Sequence, residues 1–432
     1  MCLNATNINS TDLHLTTAGM AQRCSYALLI SLALSFSPAA KAEVSLAEAV
    51  TQAMQRDHRV AAAFAEIAAA KNEVSVAEGG YYPSLQANVG SADNFAGNTY
   101  EIRATQMLYD WGKVDSRVGK QNAVVDKEAE QLHKAQMDVA LDAITAYLNV
   151  QAATQQIDLT HDYLEQLRAL NAQAVDRRDS GYSGNAEAQR TQVDIAKAKE
   201  SLARQYGEEA SASAELDELT GYTARDVSPT PSTNSELNRY LQRDSRSISA
   251  LIKQAPEYQS ALADIEIARS DLALKKAERW PDVNLEASWG RQDFGAGAQQ
   301  DSSIGIQLRY DAFQGLSSLR KPESARQRLE SAEYGAQAVF RDLQRAIRKL
   351  STLEPAIAAR SEALHLQAQN ARQIKIGYLD QFNAGLRDLE DLLAIERDIF
   401  EAERQAIDLN IQLSKDRYTL AAQLGVLSQL FK

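Results

Sequence analysis

Cysteine is nearly missing from this chain: Cys2 and Cys24 are the two it has. Both precede a small-x-small step, Ala40-Lys41-Ala42, which follows Arg23 and an apolar run from Tyr26 to Phe36. That order reads as a secretory signal over residues 1–42, with Met20 as an alternative start that gives a signal of ordinary length. No lipobox surrounds Cys24, which argues against a lipid-anchored N-terminus. Loss of the signal leaves no cysteine, hence no disulfide and no thiolate metal ligand. Long apolar runs are lacking too: after Glu43 none approaches the roughly 20 residues of a helical membrane span. Any insertion into lipid must then use β-strands, the other backbone that satisfies its own hydrogen bonds there. Proline is sparse, 8 in 432 residues, which leaves room for long unbroken helices. Basic charge is in deficit as well. The net charge of −12 argues against nucleic acid as a partner.

Catalytic constellations are equally wanting. The histidines (His14, His58, His133, His161 and His365) are scattered, with none at metal-ligand spacing from another. Trp111-Gly112-Lys113 lacks the lead of a phosphate loop, and Gly181-Tyr182-Ser183-Gly184 is a helix-reversal turn and not a nucleophile elbow. Acidic pairs such as Glu390-Asp391 read as solvated helix faces. The expectation is a protein that is not an enzyme, with no catalytic residue, no metal and no cofactor.

What the chain does have is a duplication. The run Ala63-Phe64-Ala65-Glu66-Ile67-Ala68 returns as Ala261-Leu262-Ala263-Asp264-Ile265-Glu266, and each copy leads into an aromatic-Pro step, Tyr82-Pro83 and Trp280-Pro281. Alternating strands follow, then Tyr109-Asp110 or Tyr310-Asp311, then a long helical stretch that closes near Leu219 and Gly221 or Leu424 and Gly425. The copies lie about 200 residues apart, far beyond a solenoid unit of roughly 20–50 residues. This is a duplicated domain half.

The first repeat, 43–221, reads as a helix from Ser45 (with Glu48, a capping box) to about Gly79, a hairpin over 84–108, a long helix over 112–179 and a return helix over 185–219. A linker over 222–245 carries Pro229 and Pro231. The second repeat, 246–432, reads as a helix, a hairpin over 282–310, a long helix over 317–382 and a return helix over 386–424. Pro322 is placed in a first turn, and Pro355 is expected to kink its helix. The rods reverse at Gly181 and Gly184 and at Gly385. A rod of about 65 residues is about 100 Å long, more than a globular domain needs. Met137, Leu141, Ile144 and Leu148, and again Ile395, Ile399, Ala402, Ala406, Leu409 and Leu413, follow the three-four spacing of a coiled-coil seam. In the strands Leu85, Ala87 and Val89, then Val283, Leu285, Ala287 and Trp289, then Ile304, Ile306 and Leu308 alternate with polar residues. Each strand has about 8–10 residues, the length of a tilted transmembrane strand. Aromatics flank them: Tyr81, Tyr82, Tyr109 and Trp111, then Trp280, Tyr310 and Phe313. Alternation alone fits a soluble hairpin pair equally well.

Taken together, the duplication, the two aromatic-Pro strand entries and the segment from Phe382 to Leu393 (FNAGLRDLEDLL) resemble the TolC family of outer-membrane channel proteins. The resemblance covers essentially the whole chain after the signal. It implies a mainly α fold with a small β part: a duplicated long-helix α-barrel plus a four-stranded contribution to a trimeric, twelve-stranded transmembrane β-barrel. It also implies a homotrimer in outer-membrane lipid that extends into the periplasm, with the linker in a belt around the tunnel. Glu101, Arg103, Glu286 and Arg309 would face a wet barrel lumen; Val283, Leu285, Ile304, Ile306 and Leu308 would face lipid. At the periplasmic tips, Phe382 and Arg387 fall where relatives carry a closing aromatic and arginine, Glu187 at their acidic partner, and Asp391 at an acidic ring. Two departures stand out: Ala394 replaces a second ring acid, and Phe382 has no phenolic hydroxyl. The function implied is a passive channel-tunnel working with an inner-membrane transporter and a periplasmic adaptor protein, in type I protein secretion first. A multidrug efflux duct is the alternative, and a periplasmic coiled-coil adaptor or scaffold a third reading.

Overall fold

The computed structural model of the chain describes residues 45–92, 97–221, 245–293, 297–310 and 317–427. The expected signal, nearly all of the linker, and Phe313 lie outside these residues. In chain order the elements are α1 (Leu46–Arg56), α2 (His58–Glu78), β1 (Ser84–Ala92), β2 (Gly97–Tyr109), α3 (Lys113–Asp179), α4 (Asn185–Thr220), α5 (Ser245–Gln254), α6 (Pro256–Ala277), β3 (Asp282–Asp293), β4 (Ala298–Arg309), α7 (Ser317–Asn383) and α8 (Leu389–Gln423). The fold is mainly helical with one small sheet. Among the described residues no helix is long and apolar enough to cross a membrane.

The Ser45 hydroxyl accepts the Glu48 amide and caps α1. The single helix expected from Ser45 to Gly79 breaks at Asp57, whose backbone is extended (φ −68°, ψ 126°) and whose carboxylate accepts the Arg59 amide at 2.7 Å. One aspartate thus ends α1 and caps α2. The helix of the second repeat breaks at the matching place, between Gln254 and Pro256, because proline suits a first helical turn but cannot continue the helix before it. Pro322 lies deeper than a first turn, since α7 already begins at Ser317. The same helix runs on past Pro355. The second return helix starts at Leu389 and not at 386, with Asp388 extended ahead of it.

The two rods, α3 and α7, each have 67 residues. Their ends reverse in the same way. Gly181 and Gly385 hold φ of +78° and +74°. The amides beyond them reach back five residues: Tyr182 to the Arg177 carbonyl at 2.8 Å, and Leu386 to the Gln381 carbonyl at 2.9 Å. This left-handed close satisfies carbonyls that the helix end would otherwise leave open. Gly184 differs: its φ of −83° is open to any residue.

Packing centres on α3, which lies against α1, α2, α4, α6 and α8, while α7 lies against α6 and α8. The main core joins Leu46, Ala49, Val50 and Ala53 of α1 to the stretch of α3 from Met137 to Val150 and to the end of α8. The seam residues Met137, Ile144 and Leu148 are all buried there. A second core at the far end of the rods joins Leu164, Leu167, Leu170 and Ala174 of α3, Ala188, Ile195 and Ala198 of α4, Phe382 of α7, and Leu389, Leu392 and Leu393 of α8. Alanine at these seams lets the helix axes approach.

Nothing crowds a Cβ at Gly181 or Gly184. Gly181→Ala therefore isolates the backbone cost of a left-handed residue, about 1–2 kcal/mol. Gly184→Ser supplies an N-cap and should be neutral or better by a few tenths of a kcal/mol. Thermal unfolding of the purified variants in detergent should separate them in that order.

Candidate functional site

The strands form one antiparallel sheet, β1-β2-β3-β4, so each repeat supplies a hairpin and the β2–β3 ladder joins the repeats. Residues directly opposite in such ladders share a face. Leu285 opposes Ile306, Ala287 opposes Ile304, and Val283 opposes Leu308. Ile102 opposes both Ala87 and Trp289. A bulge between Met107 and Tyr109 then sets Tyr109 beside Val283. One face is accordingly apolar, and its residues are bare to solvent in the single chain: Leu85 is 78 % exposed, Ile304 75 % and Ile306 73 %.

The opposite face carries all four residues expected in a wet lumen. Arg103 donates to Glu286 Oε1 at 2.7 Å and to Glu101 Oε1 at 2.5 Å, bridging the repeats. Arg309 donates to Gln307 Oε1 at 3.3 Å, and Ser288 and Ser303 share a hydrogen bond at 2.8 Å. Asn284, on this polar face, is buried and not solvated. The sheet therefore has an exposed apolar face and a charged face with a paired ion network.

Where the strands meet the rods, aromatic rings gather. Trp111 stacks on Trp280 with centroids 5.0 Å apart, and Tyr109 meets Trp111 edge-on at 4.9 Å. Trp111 Nε1 donates to the Pro281 carbonyl at 2.8 Å. Lys113, largely buried, donates to the Trp280 carbonyl at 2.8 Å and to Asp282 Oδ1 at 2.6 Å. Asp110 accepts the Val114 amide at 2.6 Å and so starts α3. The start of the first rod is thus bolted to the entry of the second hairpin.

At the far end, the tips bring Phe382, Arg387 and Asp391 close together but do not join Arg387 to Glu187 within one chain. Arg387 donates to Gln381 Oε1 and to Asp391 Oδ2, both at 2.8 Å. Its guanidinium lies 3.6 Å from the centre of the Tyr378 ring. All three partners belong to the second repeat. The competing acid is four residues ahead of Arg387 and needs no contact between repeats. Asp391 keeps about half its side chain exposed. Glu187 occupies the same place in α4 that Asp391 has in α8, the first helical turn. Its Oε2 is buried with no hydrogen-bond partner. Phe382 is buried in the tip core. A residue that sequence reasoning passed over reaches it: Arg177, in the last turn of α3, donates to the Phe382 carbonyl at 2.7 Å and covers the Phe382 ring at 4.4 Å. Its place one turn before Gly181 was the available signal. Beside it a cleft of about 550 Å³ is lined by Gln173, Asp176, Tyr182, Phe382 and Gly385.

Residues 49–222, which span the first repeat from α1 through α4, match the family described as "Outer membrane efflux protein". The match is to this first-repeat segment of the chain. The chain's relatives include the alkaline protease secretion protein AprF of Pseudomonas aeruginosa, 25% identical over 72% of this chain. The match spans 65% of AprF, just under two thirds of that protein's length. The outer membrane efflux protein BepC of Brucella suis is 24% identical over 92% of this chain and 89% of its own. Among solved structures, the outer membrane protein VceC of Vibrio cholerae has the same fold, with a TM-score of 0.74 over 89% of this chain and 95% of that one, at 17% identity.

Two outcomes follow. Ile306→Arg puts charge on the apolar face and should cost about 2–4 kcal/mol in lipid, read as lost assembled protein in outer-membrane fractions. Ser303→Arg, on the charged face, should assemble at the parent level. Arg387→Ala removes bonds internal to one tip. It should speed amide hydrogen exchange over residues 384–390 by an amount worth about 0.5–1 kcal/mol, and leave residues 176–182 at the parent rate.

Proposed function

We propose that three copies of this chain form a passive duct across the outer membrane, the outermost part of a type I protein secretion system. The observation that carries the proposal is the two-faced sheet with two free edges, β1 and β4. In hydrocarbon those edges have no water to bond, and four strands are too few to close on themselves around a pore. Pairing β1 of one copy with β4 of the next in a closed ring of three gives twelve strands and removes every edge. The resemblance to the TolC family supports the number three. In this reading the Glu101–Arg103–Glu286 network and Arg309 line the lumen, and Val283, Leu285, Ile304, Ile306 and Leu308 meet lipid. The rods then continue as a helical tunnel into the periplasm, with linker 222–245 around it.

The tip residues form the periplasmic gate: the turns at Gly181, Gly184 and Gly385, with Phe382, Arg387, Glu187 and Asp391 around them. Arg387 organises its own hairpin, and the half-exposed Asp391 gives three copies a ring of carboxylates weakened by that pairing. Energy comes from partners, an inner-membrane transporter joined by a periplasmic adaptor, because the sequence offers no nucleotide site. The signal over 1–42 delivers the chain to the cell envelope. Protein cargo is favoured by the likeness to a protease secretion protein. Drug efflux is the second reading, supported by the likeness to BepC and by the family's own description.

Cysteine pairs placed on β1 and β4, such as Val89→Cys with Ile304→Cys, test the closed ring. Oxidation in membranes should yield covalent dimers and trimers on denaturing gels; monomer alone across a full set of registers would refute it. Deletion of the gene decides the cargo. Loss of a protein from the culture medium with unchanged drug tolerance is expected, and the opposite pattern would make the duct an efflux component.

A further inference from the structure

We infer that Arg177 is the fastener between the two tip hairpins, a positioning residue on the first repeat that pins Phe382 of the second and must release it before the tips part. The inference rests on the reading of the tips as the closable end of a duct. Arg177 and Phe382 are 205 positions apart in the chain. Between them run two different contacts. The guanidinium donates to the Phe382 carbonyl, one of the last carbonyls of α7, where the helix dipole favours a cation. It also covers the face of the Phe382 ring. The same carbonyl accepts the Gly385 amide at 2.9 Å, so the clamp closes on the turn itself. Arg387 spends its bonds on Gln381 and Asp391, within one hairpin, and cannot do this work.

The clamp is built to let go. Arg177 Nε is buried with no hydrogen-bond partner, so the closed arrangement does not use every donor the side chain has. The cleft beside it gives the guanidinium somewhere to swing, with the Asp176 side chain on its wall. Movement of Arg177 into that space would break both of its contacts with Phe382. Arg177 thus adds to the apolar tip core one contact per copy, on main chain and ring, that links the two repeats.

The test is single-channel recording of the full-length protein in planar bilayers, with the melting temperature of the detergent-solubilised oligomer measured alongside. Arg177→Ala should raise the open population about tenfold or more, the weight of one charge-assisted hydrogen bond, with the melting temperature unchanged. Arg177→Lys keeps a cation over the ring and a donor for the carbonyl, and should restore much of the closure. Phe382→Leu keeps the buried side chain and the carbonyl but removes the ring face, and should fall between. If Arg177→Ala gates like the parent while Arg177→Ala with Arg387→Ala opens, the fastener is assigned wrongly and the duct reading stands. If the double variant also gates like the parent, the tips are not the constriction and that reading fails with it. Equal opening by Ala and Lys with a lowered melting temperature would make Arg177 a packing residue and overturn the clamp.

Discussion

Inside hydrocarbon an unpaired backbone N–H has no water to turn to, and this one fact organises the β part of the chain. Each repeat makes only a hairpin, and a lone hairpin is marginal even in water. The β2–β3 ladder converts two hairpins into one sheet, with Arg103 reaching across it to Glu286. The rods inherit their placement from that union. Trp111 and Lys113 sit at the start of α3 and bind the entry to β3, so the first rod cannot be set down without reference to the second hairpin.

The two repeats share a backbone plan but not a charge plan. Both rods end in a left-handed glycine with the same long hydrogen bond behind it. Both return helices carry an acid in the first turn. The position of Arg177 in the first tip is held by Gln381 in the second, and that of Arg387 is held by Ser183. One arginine reaches outward to the other repeat, and the other folds back on its own. Duplication set the geometry, and side-chain divergence decided which tip grips and which is gripped.

Much of this was legible without coordinates, and for identifiable reasons. Long rods show themselves by what they lack, since 67 residues without an effective breaker leave few other folds open. Strand faces show by alternation, which is why Leu285 and Glu286 fall on opposite faces as expected. The break at Asp57 was hidden. Aspartate caps a helix only if its own backbone turns extended, and here that follows from the packing of Leu46, Ala49, Val50 and Ala53 on α3. Pro256 was a readable stop, passed over because the flanking residues are good helix formers. Pro322 was misplaced because α7 begins at Ser317, earlier than a first-turn proline implies. The burial of Asn284 depends on neighbours from another repeat. In the tip, Arg387 and Asp391 stand at the spacing of local ion pairs, a signal the family resemblance outweighed. The place of Arg177 one turn before Gly181 marks it as a tip residue, but its partner lies 205 positions away, which no local pattern reveals.

The sheet also has a place in time. Arg103 and Glu286 lie 183 positions apart, and the whole β2–β3 ladder is of that long range. Pairing at such separation waits on the closure of a large loop, whereas rods and their return helices form from neighbours in the chain. Each hairpin also forms from neighbours in the chain, but its apolar half-face joins the other only once the second repeat has been made. The continuous apolar face is thus a property of the whole duplication and of neither half alone.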